Sequence, residues 1–207
     1  MLLLAVAHLC LLFYVPRFSR VKGSHPLQLL VDDASFTVPK LVLNQISENL
    51  ASYDARLAKS NPRTREAAVA LILRPRPSAP EHTDILFIKR AEKEGDPWSG
   101  HMAFPGGHRE TSDDGLRGAA MRETAEEIGL DLGDSKYLGA LDHEHANPRG
   151  RVLNMLIAPH VFQIQGDPEF APNHEVAEVV WAPLNVLAEN TLHLSLIHIS
   201  EPTRQFA

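Results

Sequence analysis

The stretch from Phe104 to Leu130, FPGGHRETSDDGLRGAAMRETAEEIGL, constrains this chain more than any other, because its end sets acidic residues at helical spacing. If Arg122 to Ile128 is helical, Glu123, Glu126 and Glu127 are related by i,i+3 and i,i+4 steps and share a face, with Arg122 four residues before Glu126. Like charges so placed cost a helix roughly 0.2–0.5 kcal/mol each, and an ordinary solvated face interleaves lysines instead. A hard divalent cation removes the conflict, since Mg²⁺ takes oxygen ligands and prefers a few carboxylates plus substrate phosphates. An isolated E-x-x-E-E is more often a charged helix end, so the neighbouring residues decide.

Those neighbours carry helix punctuation. Ser112, Asp113 and Asp114 offer side-chain caps for the first amides, and Gly129 suits the left-handed position that ends a helix, which predicts a helix from about Asp114 to Ile128. On a helical wheel Leu116, Ala119 and Ala120 prolong the glutamate face, while Met121, Ala125 and Ile128 lie opposite, so the helix is expected to pack between a sheet and other elements. Pro105-Gly106-Gly107 forms a tight loop in which backbone can approach a metal or a phosphate.

Residues Gly107 to Leu130 resemble the Nudix box, G-x5-E-x7-R-E-U-x-E-E-x-G-U with U aliphatic. Arg122, Glu123, Glu126, Glu127, Gly129 and Leu130 fall on the pattern, and Thr124 replaces an aliphatic residue. Counting forward from Gly107 selects Asp113 as the first acid and leaves one residue too many before Arg122; counting back from Arg122 selects Asp114 and puts His108 where glycine belongs. That one-residue insertion, with Phe-Pro-Gly-Gly just before it, is similar to the coenzyme A pyrophosphatase branch of the Nudix hydrolases.

The resemblance implies an α/β/α sandwich with a mixed sheet, the box forming loop, helix and loop. It implies that Glu123, Glu126 and Glu127, with the Gly107 carbonyl, bind Mg²⁺ or Mn²⁺, that the ions bridge pyrophosphate oxygens and activate a water, and that Arg122 orients the carboxylates. The substrate implied is a small pyrophosphate, coenzyme A or a close derivative first, with ADP-ribose or a dinucleotide as the enzyme alternative. A non-catalytic Nudix-like binding module is the alternative outside enzymes, ranked lower because all three glutamates are present. Arg90, with Gly106 and Gly107, is a candidate substrate contact: a guanidinium at a strand end beside the glycine loop can grip a phosphate bidentately. One departure stands out. The branch's upstream pattern L-L-T-x-R-[SA]-x3-R-x3-G-x3-F-P-G-G reads here LFIKRA and then GDPWSGHMAFPGG, so Asp96 occupies the second arginine's place.

At 207 residues and 44% hydrophobic content the chain is expected to form one domain of good size. Its net charge of −6 argues against a nucleic-acid surface, which needs a basic face, but leaves small anions accessible through a bound cation. The single cysteine, Cys10, excludes an internal disulfide framework and fits a cytoplasmic, reducing compartment. Oligomeric state is not legible.

Three segments are expected. Residues 1–38 open with MLLLAVAHLCLLFYV, shorter than the roughly 18–20 apolar residues that span a bilayer and lacking a basic n-region, so it reads as a mis-called start or a weak anchor. Residues 39–193 are the expected domain. Leu194 to Arg204, LSLIHISEPTR, coincides with the translation of the transposase mosaic-end adapter of tagmentation libraries, so residues 194–207 are expected not to be native protein and the last elements of the fold to be missing.

Within the domain, helical spacing predicts a helix between Pro39 and Ala58, and apolar runs predict strands at Ala67–Leu73, Asp84–Lys89, Tyr137–Leu141, Val152–Phe162 and Glu175–Trp181. Arg74 to His82 reads as an exposed proline-rich connection, Pro159 as a bulge or sheet edge, and Ala182-Pro183-Leu184 as the lead into a last helix. Asp142 to His145, DHEH, invites zinc but has no second ligand cluster, which favours an exposed loop. Glu175 or Glu178 is a candidate additional acid facing the metals from across the cleft; the alternative is a pair of acids on a strand's solvent face.

Overall fold

A computed structural model describes residues 41–95, 99–146 and 154–188; the N-terminal apolar segment, Asp96, Trp98 and the adapter-like tail lie outside these. The described elements run α1 (Leu43–Ala51), β1 (Arg65–Arg76), β2 (Ala79–Arg90), β3 (Met102–Ala103), β4 (Gly106–His108), α2 (Gly115–Ile128), β5 (Lys136–Ala140), β6 (Glu144–His145), β7 (Met155–Gln163), β8 (Val176–Pro183) and α3 (Leu184–Ala188). All eight strands join one mixed sheet. β1 and β7 are parallel, from Arg65 opposite Met155 to Leu73 opposite Gln163, and the other pairings are antiparallel.

The apolar run of β1 has a simple cause: both of its faces are covered. Leu71 and Leu73 join Ile46 and Leu50 of α1 on one side, while Ala70 and Ile72 join Ala119, Ala120 and Ile128 of α2 on the other. This is the expected α/β/α sandwich with a mixed sheet. β4 pairs with the first half of β1, Ala68 opposite Gly107 and Val69 opposite Gly106, so the glycine loop is laid on the sheet before the chain enters α2. Ala70 N–H donates to the Pro105 carbonyl at 2.8 Å and fixes the entry.

Several expectations need correction. The first helix ends at Ala51, and Leu57 is 67% exposed rather than part of an apolar stripe. The chain beyond it is held by Asp142, which is buried and not on an exposed loop: its carboxylate accepts hydrogen bonds from the Tyr53 hydroxyl, the Arg56 amide and the Arg56 guanidinium. Burial opposes ionisation of Asp142, yet these donors outweigh it and hold the carboxyl at about 2. The DHEH acid Asp142 is thus engaged by Tyr53 and Arg56.

Arg74 to His82 is not a connection either. β1 and β2 extend through it as a hairpin, because Arg74 and Arg76 lie on the α2 side of the sheet and meet Asp84 across the pair, with Arg76 Nε donating to Asp84 at 2.9 Å. Arg74 also lies over the Trp181 ring at 4.0 Å. β7 is flanked on both sides, so Pro159 marks no sheet edge; it falls between the stretches that pair with β5 and with β6, where the outer ladder is interrupted and a missing N–H is tolerated.

His160 of β7 sits under the start of α2, Nδ1 3.0 Å from the Tyr137 hydroxyl, with Nε2 buried and unbonded. Burial, then the charges of His143 and Arg117, press its pKa down to about 4. The unfolded chain therefore binds a proton near pH 6.5 that the folded one refuses, so stability held above that pH drains away as pH falls towards 4, by up to about 3 kcal/mol from this group. Urea midpoints at pH 7 and pH 4.5 should show the wild type losing markedly more stability than His160→Gln; equal losses would contradict this.

Candidate active site

α2 begins at Gly115 and stops at Gly129, whose φ of 71° is the left-handed cap the sequence predicts. The predicted side-chain cap is not made. Asp114 caps the helix with backbone alone, and Asp113 is turned inward, accepting from the Glu110 amide at 2.7 Å and from Arg122 Nε at 2.9 Å. This settles the ambiguous count: Asp113, not Asp114, faces Arg122. Between Asp113 and the helix is a tight turn in which Gly115 N–H donates to the Asp113 carbonyl at 2.8 Å and Gly115 adopts φ of 70°.

Arg122 is the hub of the loop. Beyond Asp113 its guanidinium donates to the His108 carbonyl at 2.9 Å, to Glu126 at 3.0 Å and to Glu123 at 3.1 Å. Its pKa is raised, first by the Asp113 hydrogen bond, so it is charged at any working pH.

The three glutamates are neighbours on α2 but differ in burial. Glu127 is 4% exposed on the buried face of α2 with Ala120, Thr124 and Ile128, Glu123 is part-buried, and Glu126 points outward to Arg122. Ile128 thus lies on the sheet side, and Ala125 is exposed. Thr124 fits the buried face because its hydroxyl donates to the Ala120 carbonyl at 2.7 Å.

Two glycines let backbone meet these carboxylates. Gly106 N–H donates to Glu127 Oε2 at 2.8 Å. A Cβ on Gly107 would stand 2.5 Å from the Glu123 carboxylate and displace it, so glycine lets that carboxylate lie against the loop. Burial, opposed only in part by the Gly106 amide, raises Glu127 to about 7, with Glu123 and Glu175 repelling its charge and Arg90 favouring it. Glu123 is raised as well, chiefly by burial. Two desolvated carboxylates side by side at the glycine loop form an oxygen-only donor set, which suits a hard divalent cation.

Arg90 ends β2, its amide bonded to the His101 carbonyl at 2.9 Å, close enough for its charge to act on Glu127. Glu175 lies just before β8 and acts on Glu127 too, whereas Glu178 pairs with Lys89 on the opposite face of the sheet. A register shift between Lys89 and Arg90 makes the difference: Arg90 is opposite Val176, one residue out of step, which keeps Val176 towards α2. Nothing in the sequence pattern marks that shift, nor the strap formed by Ala171 and Asn173 behind the helix end.

The NUDIX domain family model matches residues 63–200. Over 104 residues the chain is 36% identical to uncharacterized protein C14C4.10c of Schizosaccharomyces pombe, an alignment taking 48% of this chain and 32% of that protein. Over 104 residues it is 31% identical to the uncharacterized Nudix hydrolase NudL of Pectobacterium atrosepticum, taking 50% of this chain and 52% of that one. The chain thus spans about a third and about half of these two relatives' lengths. Among solved structures it is similar to a binary complex of a C. elegans Ap4A hydrolase, at 17% identity and a TM-score of 0.47, over 66% of this chain and 96% of that one. With the family match covering well over half of its 207 residues, the chain belongs to the NUDIX domain family.

Proposed function

We propose that this chain hydrolyses the pyrophosphate bond of a nucleoside diphosphate derivative with the help of a divalent cation, coenzyme A or a close derivative being the leading substrate. The observation that carries the reading is the pairing of two desolvated glutamates with the glycine loop, the Gly106 amide bonded to Glu127 and the Glu123 carboxylate lying where a Gly107 Cβ would stand. Buried carboxylates raised in this way are costly in the folded chain, and such perturbed groups cluster at functional sites.

Glu123, Glu126, Glu127 and the Gly107 carbonyl would hold Mg²⁺ or Mn²⁺, which when bound supplies charge neutralisation at phosphorus and a more acidic attacking water. Arg122 keeps Glu123 and Glu126 in place and, through the His108 carbonyl, keeps the loop beside them. Arg90 binds a substrate phosphate from the end of β2, and Glu175 adds a further acid near Glu127. The base that deprotonates the water is one of the glutamates.

The coenzyme A reading rests on the Phe-Pro-Gly-Gly loop and on the one-residue insertion between Gly107 and Arg122. A panel of coenzyme A, ADP-ribose and dinucleotides tests it, with the highest kcat/KM expected for coenzyme A. Asp96→Arg should raise the ratio of coenzyme A to ADP-ribose kcat/KM about fivefold, the factor that relief of about 1 kcal/mol of like-charge repulsion supplies. Arg90→Ala should lower both rates. An unchanged ratio in Asp96→Arg would show that this position does not read the ligand.

A further inference from the structure

The turn from Ala171 to Glu175 fastens the end of α2 to the start of β8. The last carbonyls of a helix lack intrahelical donors and must find others. Gly129 N–H reaches the Ala125 carbonyl at 3.0 Å, and the turn meets the next three: Asn173 Nδ2 donates to Glu126 at 3.0 Å, Asn173 N–H to Glu127 at 2.9 Å and Ala171 N–H to Ile128 at 2.8 Å. On its other side Asn173 Oδ1 accepts from the Glu175 amide at 2.8 Å, and its carbonyl accepts from Val176 at 3.2 Å. The Glu175 carbonyl in turn accepts from Ala91 N–H at 2.8 Å, next to Arg90. The backbone N–H and carbonyl of Asn173 and its side-chain Nδ2 and Oδ1 are each engaged. A side chain with both an amide donor and a carbonyl acceptor at this length is what the junction requires.

We propose that Asn173 is a positioning residue for the hydrolysis: it locks the backbone of Glu126 and Glu127 to that of Glu175, and so fixes the Glu175 carboxylate against the glutamate pair. The inference rests on the proposed hydrolase reading. The Glu175 side chain is half exposed and has three bonds to rotate about, so its placement depends on where its backbone is held. Small misplacements of a group that acts on the reacting atoms are expensive: about 1 Å can cost a hundredfold. Removing the Asn173 side chain leaves the strap's backbone bonds in place, which limits the damage to the fold.

The test uses Asn173→Ala, Asn173→Asp, Glu175→Gln and the Asn173→Ala/Glu175→Gln double variant, assayed with Mg²⁺ on coenzyme A and ADP-ribose. Asn173→Ala is expected to lower kcat about tenfold with KM changed less than about threefold, and to cost little further in the Glu175→Gln background, because both changes remove the same placed carboxylate. Amide exchange on the metal-free protein gives a second readout. The Glu175 amide should lose protection about tenfold in Asn173→Ala and keep it in Asn173→Asp, which retains the accepting oxygen. Losses that multiply in the double variant, or a lowered Tm with unchanged kcat, would reduce Asn173 to a structural role and overturn the proposal. Wild-type turnover in Glu175→Gln would overturn it while leaving the hydrolase reading intact. If the wild-type chain cleaves no pyrophosphate on the panel, the hydrolase reading has failed and this proposal fails with it.

Discussion

Glu127→Gln is expected to lower kcat by about a thousandfold or more and, at the same time, to make the metal-free protein more stable at neutral pH. The two effects have one source. Glu127 is buried and its charge is disfavoured by desolvation, by Glu123 and by Glu175, so its pKa stands at about 7 against roughly 4.3 in an unfolded chain. A carboxyl raised on folding penalises the folded state above its unfolded pKa, and the penalty is relieved as pH falls from about 7 towards 4.5. Glutamine keeps the acceptor for the Gly106 amide and removes the charge, so the stability gain should approach 3 kcal/mol near pH 8 and shrink to nothing near pH 4.5. The kinetic loss comes from the missing anionic ligand, and a thousandfold corresponds to about 4 kcal/mol of transition-state stabilisation. Denaturant midpoints across that pH range, with turnover at saturating Mg²⁺, check both halves. A variant that is less stable and nearly as active as the wild type would mean that Glu127 is a structural acid.

Gly106→Ala and Gly107→Ala should fail in opposite ways. At Gly106 the backbone adopts φ of 149°, and an added Cβ would lie 2.2 Å from the Ala68 carbonyl oxygen and 2.6 Å from the Val69 Cα. Both obstacles are backbone of β1, so the variant has to break the pairing of β4 with β1, lose the amide bond to Glu127, or both. The cost should exceed about 3 kcal/mol, which is a large part of a domain's stability. At Gly107 the added Cβ meets only the end of the Glu123 side chain, at 2.5 Å. That carboxylate can swing away, so the fold should survive within about 1 kcal/mol while kcat drops by two orders of magnitude or more. Calorimetry and steady-state kinetics on the two variants separate these outcomes, and equal destabilisation of both would contradict the close approach of Glu123 to the loop.

The helix and its glycine loop could be read from the sequence because their signals are local. Gly129 ends α2 where the left-handed cap was expected, and the apolar run of β1 marks a strand covered on both faces. The misreadings come from partners distant along the chain. Asp142 looked like a loop acid because Tyr53 and Arg56, which hold it, lie nearly ninety residues away. The prolines between Arg74 and His82 suggested a loose connection because their signal outweighed two arginines that find Asp84 across a hairpin. Helical spacing grouped Glu123, Glu126 and Glu127, but it could not say that Glu127 is buried while Glu126 stays exposed on Arg122. Asn173 carried no signal beyond a polar turn, since its role appears only when that turn meets a helix end 47 residues earlier.

Phosphate-ester products released from a pyrophosphate substrate, followed by chromatography while Mg²⁺ is titrated and then withdrawn with a chelator, test the central claim most directly. For coenzyme A or another member of the panel, two phosphomonoesters should appear in equal amounts, at a rate that saturates with Mg²⁺, stops on chelation and returns when Mg²⁺ is restored. Binding of these nucleotides with no products at any Mg²⁺ or Mn²⁺ concentration, or turnover indifferent to the chelator, would contradict it.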